Sequence, residues 1–283
     1  MHGVFDRTVT IPGIGDGDRA TQVEHMIDYV EVEQAVGMSG LRVVLSPGLP
    51  QPWSEAAKGL LYLKEIPYIS VRQELFGENV PLMRWTAQAS APVAVWNDEP
   101  PRSSWIDQLY LFERLAPEPR MIPADFDQRV LMFGLAREIC GECGYTWHTR
   151  HEVVRKHTAS APDDATRATF EAHGDKYGFT PELGATAVEK LTDILRHIGS
   201  HLEAQRRRGS RYFIGHSLTA LDVYWACHAT TILPLPPEVC PMSDDFRAVY
   251  TATNPKILAA VSPLLLAHRD YIYERYLELP LKF

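Results

Sequence analysis

The sequence predicts a small α/β domain followed by a larger all-helical one. Three observations predict it. Short, β-branched strand segments alternate with helical ones from about residue 41 to 115, a three-proline segment follows, and beyond about residue 124 the pattern is helical. The 283 residues and 31.9 kDa leave room for one large or two modest domains. With 45% apolar and 23% charged residues the composition is that of a folded protein and excludes disorder.

Residues 1–40 read as an N-terminal extension. Gly3, Gly13, Gly15 and Gly17, interspersed with Asp16 and Asp18, make a flexible lead-in. Val23, Met26, Ile27 and Val30 give 21–40 a weak helical pattern that stops at Gly37 and Gly40. The first clear strand is Leu41–Leu45, ended by Ser46-Pro47-Gly48. Pro52 opens a helix, because a proline at the first helical position loses only an N–H that would be unpaired there, and Ile66-Pro67 closes it. Tyr68–Arg72 is the second strand and Ser90–Trp96 the third. Ser103 and Ser104 open an amphipathic helix running to Leu115. The segment 116–123, with Pro117, Pro119 and Pro123, reads as an interdomain linker. Beyond it the helices are Phe126–Cys140, Pro181–Arg208, Thr219–Ile232 and Asn254–Leu277.

Several function classes are excluded at this level. A net charge of −8, from 28 basic and 36 acidic residues, argues against a nucleic-acid partner, which needs a concentrated basic face. No apolar stretch approaches the roughly 18–20 residues a membrane span requires. No basic segment followed by an apolar one marks a signal peptide, so the expected location is cytoplasmic. Four cysteines do not make a disulfide framework. Cys140 and Cys143 form a C-x-x-C with His148 and His151 close behind, but paired zinc-ligand spacing is missing and no metal is expected.

Three short motifs, in this order, resemble the cytosolic glutathione transferase superfamily. Ala91-Pro92-Val93 is similar to that family's Val-Pro-Val cis-proline step. Ser103–Leu115 (SSWIDQLYLFERL) has the frame of its Glu-Ser-x-x-Ile-x-x-Tyr-Leu helix. Gly215–Asp222 (GHSLTALD) resembles its helical-domain capping motif, in which Thr219 and Asp222 satisfy orphan N–H groups at a buried helix start. The resemblance covers roughly residues 41–280. It implies a thioredoxin-like domain over 41–119, in the order β-α-β-α-β-β-α, and a transferase-type helical bundle over 120–283.

The resemblance also implies glutathione as co-substrate and a homodimer. The backbone of Ala91, the residue before Pro92, would pair with the peptide as an added strand. Ser104, at a helix N-terminus, would hold the γ-glutamyl carboxylate. Ser103 stands where the family has an acidic residue, which removes a partner for the γ-glutamyl ammonium. Gln51 falls where some members carry serine and others cysteine. Glutamine cannot be a nucleophile, but its amide, like the backbone N–H groups of Trp53 and Ser54, can donate to a thiolate, and the Ser54 hydroxyl is a second candidate. Plain helix capping by Gln51 and Ser54 remains the alternative. Tyr145, Trp147 and His148 are candidates for the pocket of the second substrate, with core packing as their alternative. The expected activity is a glutathione transferase or lyase acting on a small hydrophobic electrophile. The other readings are a non-catalytic binding or assembly module of the same fold and a glutathione-dependent disulfide reductase.

Overall fold

The computed structural model describes residues 27–75 and 77–283. Its sheet has four strands in the order β1–β3–β2–β4. Strand β2 (Leu41–Leu45) is buried along its whole length, as a central strand of β-branched and aliphatic residues should be. β3 (Ile69–Arg72) runs parallel to it, with Val43 opposite Ser70 and Val44 opposite Val71. β4 (Val93–Trp96) is antiparallel, with Val44 opposite Val93. The crossover between β2 and β3 is α2 (Pro52–Leu63), with Pro52 in its first turn.

Two expectations in the sheet domain are corrected. Of the weak helix read over 21–40, residues 21–26 lie outside the described residues. The remainder forms a two-residue strand, β1 (Tyr29–Val30), and one helical turn, α1 (Val32–Ala35). β1 extends the sheet in parallel beside β3, Tyr29 opposite Ser70 and Val30 opposite Val71. The weak apolar periodicity carried only enough side chains for one turn, and the edge of β3 took the rest. The second correction concerns the hairpin after β4. It is reduced to a single bridge, in which Ala94 and Arg102 exchange two 2.9 Å backbone hydrogen bonds. Asn97–Pro101, rich in turn formers, leaves no length for a second strand. A short helix, α3 (Val80–Thr86), joins β3 to β4, and α4 (Trp105–Leu115) follows the bridge.

The helical domain comprises α5 (Phe126–Cys140), α6 (Tyr145–Ala159), α7 (Asp164–Lys176), α8 (Pro181–Arg207), α9 (Ala220–His228), α10 (Asp244–Tyr250), α11 (Pro255–Ala260) and α12 (Pro263–Tyr276). The helix expected over 254–277 is two, because Pro263 cannot donate to the preceding turn and opens a new helix after the Ser262 cap. All nine residues of α9 are buried, and its start carries the capping motif read from the sequence. Asp222 accepts from the N–H groups of Phe213 and Thr219, both at 2.9 Å, and from His268 Nε2 at 3.0 Å.

One continuous apolar core runs through both domains, including α2, α4, α5, α8, α9 and α12. A smaller cluster, Val44, Val71, Val93 and Val95 with Leu82, lies between the other face of the sheet and α1 and α3. The linker is fastened by a buried lysine at the end of α2. Lys64 Nζ donates to the carbonyls of Ala116 (2.7 Å) and Pro119 (2.9 Å) and pairs with Glu113 at 2.6 Å. No helix among the described residues is long and apolar enough to cross a membrane.

Candidate functional site

Three chain segments meet at the end of the sheet where β2 stops. The first is the turn from Ser46 to Gln51 with the start of α2. The second is the Ala91–Pro92 step, whose peptide bond is cis. The antiparallel pairing of Val44 with Val93 sets it directly beside the end of β2. The third is the start of α4, drawn against the second by Gln108. Its buried amide donates to the carbonyls of Pro92 (3.0 Å) and Arg102 (3.1 Å). Gln73 performs the same service between the first two segments. Its N–H bonds Leu45 (2.9 Å), its side-chain carbonyl accepts from the Ser46 hydroxyl, and its amide donates to Ala89 (3.1 Å).

The residues singled out in the sequence distribute as follows. Gln51 is the N-cap residue of α2, half-buried, and its side chain makes no capping hydrogen bond. Trp53 and Ser54 are in the first turn, and among the described residues neither backbone N–H has an acceptor. These are the orphan donors that a helix start presents, at the positive end of its dipole. The Ser54 hydroxyl is buried and without a hydrogen-bond partner. Ala91 is half-buried, and no described group bonds its N–H or C=O. Ser103 is exposed. Ser104 caps α4, accepting from the Asp107 N–H at 3.1 Å and donating to the Asp107 carboxylate at 2.6 Å. Gln73 and Gln108 therefore draw together the segments that carry Gln51, Trp53, Ala91, Pro92 and Ser104 along one edge, with the N-termini of α2 and α4 among them.

The helical domain closes on this edge through Trp53. Its indole N–H donates to the Cys140 carbonyl at 2.9 Å, and its ring stacks on Tyr177 (6.4 Å between centroids) and meets His228 edge-on (5.1 Å). Beside α4, Trp105 packs edge-on against Tyr224 (5.3 Å) and obliquely against Phe133 (6.4 Å). Tyr145 is core, its hydroxyl 3.0 Å from Thr231. Trp147 donates to the Tyr177 carbonyl at 2.9 Å, and His148 is buried on the same helix. Burial, reinforced by the Arg150 guanidinium, pushes the imidazoles of His228 and His173 down to about 3, so both rings are neutral at ordinary pH. Cys140 is buried, Cys143 exposed, and both are free thiols. Among the described residues no cluster of potential ligands could hold a metal ion.

Sequence reasoning missed Gln73, Gln108, Asp107 and Tyr177. Gln108 carried a signal, a polar side chain on the buried face of α4 between Trp105 and Leu109, where the amphipathic pattern calls for an apolar one. Asp107 carried another, since Ser104-x-x-Asp107 has capping spacing. Gln73 and Tyr177 had none, because their partners are remote in sequence.

No family model matches the sequence, and no curated protein does. Solved structures do match. A glutathione S-transferase from Methylobacillus flagellatus KT, solved with GSH bound, superposes with a TM-score of 0.58 at 13% identity, over 83% of this chain and 96% of its own. A beta-etherase from Sphingobium sp. strain SYK-6 gives 0.56 at 15%, over 83% and 95%. A maleyl pyruvate isomerase, described as a bacterial zeta-class glutathione S-transferase, gives 0.54 at 16%, over 82% and 92%. This chain has the glutathione S-transferase fold: a thioredoxin-like domain followed by an all-helical one.

Proposed function

We propose that the chain binds glutathione along the edge bordered by Pro92 and the starts of α2 and α4, and ionises its thiol for attack on a hydrophobic electrophile. The observation that carries this reading is the pair of helix N-termini beside a backbone step with unengaged polar groups. The cysteinyl backbone of the peptide pairs with the Ala91 N–H and C=O as an added strand. The γ-glutamyl carboxylate lies on the Ser104 N–H and the positive end of α4. With Ser103 in place of an acid, the γ-glutamyl ammonium goes to the Asp107 carboxylate one turn on. The thiolate is stabilised by the Trp53 and Ser54 N–H groups and the Gln51 amide. Such charge-assisted donation is what brings a thiol pKa down from its ordinary value of about 8.5. Aromatic side chains on the helical side, Trp53, Tyr177, Trp105 and Phe133, supply the surface for the electrophile.

Retention on immobilised glutathione, together with the ultraviolet absorbance of the thiolate on glutathione addition, tests the reading. Retention with ionisation at neutral pH supports an enzyme. Retention without it favours the second reading, a binding module, which the exposure of Ser103 and the non-ionisable Gln51 recommend. We further assign a homodimer contact to the outer faces of α4 and α5, where Tyr110, Phe126, Val130 and Leu131 are exposed.

A further inference from the structure

A cavity lies on a different face of the first crossover helix. Glu55, Lys58, Gly59 and Tyr62 recur at spacings of three and four along α2, so they form one stripe. At about 100° per residue this stripe points roughly opposite to Trp53, away from the thiol turn. The stripe faces the chain beyond α12, and between them is a space of ≈ 490 Å³, within the range of small-molecule sites. Gly59 makes the close approach possible, since a Cβ there would meet Leu277 Cδ2 at 3.0 Å and Val223 Cγ1 at 3.3 Å.

The lining combines apolar walls with five charged side chains. Leu61, Ile66, Leu277 and Leu281 and the rings of Tyr62 and Tyr68 form the walls. Glu55 also lines the cavity, although almost fully buried, and its carboxyl has one partner among the described residues, Lys58 Nζ at 2.8 Å. A carboxylate accepts up to about four hydrogen bonds, so this one has capacity to spare. Lys58 is further engaged by the Lys282 carbonyl, and Lys282 pairs with Glu278 at 2.5 Å. Two of the three lining carboxylates, those of Glu55 and Glu278, are thus ion-paired and that of Glu65 is not, so the lining carries a net negative charge. Tyr273, buried and also lining the space, has a hydroxyl beside the Cys227 thiol without hydrogen-bond geometry to any described atom. Burial also pushes the Glu55 carboxyl up, opposed by Lys58, as expected of an anion short of donors.

We infer that this cavity binds a small organic cation, an ammonium group on an aromatic or aliphatic body. The ammonium donates to Glu55, the Tyr62 and Tyr68 rings offer their negative faces, and the apolar walls take the body. An anion would meet a lining of net negative charge, in which both lysines are already ion-paired.

The test is calorimetric titration of the full chain with 2-phenylethylammonium, the neutral isostere 2-phenylethanol and the anion phenylacetate. The account expects saturable binding of the ammonium, preferred over the alcohol at least about tenfold, and none of phenylacetate. Glu55→Gln removes that preference, and Tyr62→Ala, at an exposed position that spares the fold, weakens the ammonium several-fold. Retention on immobilised glutathione serves as an independent readout that neither variant alters. No saturable ammonium binding, equal binding of the alcohol, or full ammonium affinity in Tyr62→Ala overturns the inference.

Discussion

Two glutamines hold the proposed glutathione cleft together, and neither touches the ligand in this account. Gln108 satisfies the carbonyls of Pro92 and Arg102 from one amide. Gln108→Leu takes this donor from the buried Pro92 carbonyl, while the Arg102 carbonyl keeps the Ala94 N–H, and is expected to cost about 1–3 kcal/mol in urea denaturation. Because those carbonyls fix the Pro92 step against α4, the same variant should weaken glutathione binding about tenfold, which calorimetry reads. Gln51→Ala should leave stability nearly unchanged, since the side chain makes no capping bond. It should raise the thiol pKa of bound glutathione by up to about one unit, the loss of one charge-assisted donor. An unchanged pKa in that variant would assign the thiolate to the backbone donors alone. At this scale the sequence was legible where spacing carries meaning. Ser104 as a cap and Asp222 as a capping acid follow from i, i+3 geometry. Gln73 was illegible because its partners, Ser46 and Ala89, are joined to it only by the fold.

At the scale of elements, the strands and the amphipathic helices could be read because their buried faces are apolar. β2, α2, α4 and α8 all declare themselves in this way. Helix α6 does not, since its buried face carries Thr146, His148, Arg150 and His151 rather than a stripe of aliphatic residues. Part of that face is satisfied by partners from other elements: His228 Nδ1 meets the Thr146 hydroxyl and His151 Nε2 meets the Tyr177 carbonyl. Strand β1 was unreadable for another reason. Two residues have no periodicity, and what recruits Tyr29 and Val30 is the open edge of β3. The start of α9 is the element on which the helical domain depends most. Asp222→Ala removes an acceptor from the Phe213 and Thr219 N–H groups and from His268 at once, all of them buried. It is expected to cost about 3–5 kcal/mol in chemical denaturation. Survival of full stability would show that the capping motif is ornamental.

For the whole molecule, two domains share a single core, so they are expected to unfold together in one transition. The stability of that unit should depend on pH through its buried imidazoles. Above about 6.5 the rings of His228 and His173 are neutral in both states and contribute no slope. Between 6.5 and about 3 the unfolded chain binds protons that the folded chain refuses, so stability falls as pH falls, by about 1.4 kcal/mol per unit for each ring. Glu55, pushed up by burial, acts with the opposite sign between its unfolded value and its raised one. Urea midpoints at pH 7 and pH 5 should therefore differ, the lower pH being the less stable; equal midpoints would contradict the buried, neutral state of the rings. Association is tested by Val130→Glu, which should turn a dimer into a monomer by light scattering if the α4–α5 face is the contact. The order of domains was legible from the start because it is written in periodicity. Which helix starts converge came from the family resemblance and not from periodicity, since convergence is set by register and remote hydrogen bonds. The claim on which the functional account rests is that this convergence ionises a bound thiol, and a pH titration of the thiolate absorbance of glutathione on the protein measures it directly. The account predicts an apparent pKa at least about one unit below the free value near 8.5. Glutathione that binds yet ionises as it does in water, or that does not bind, would contradict it.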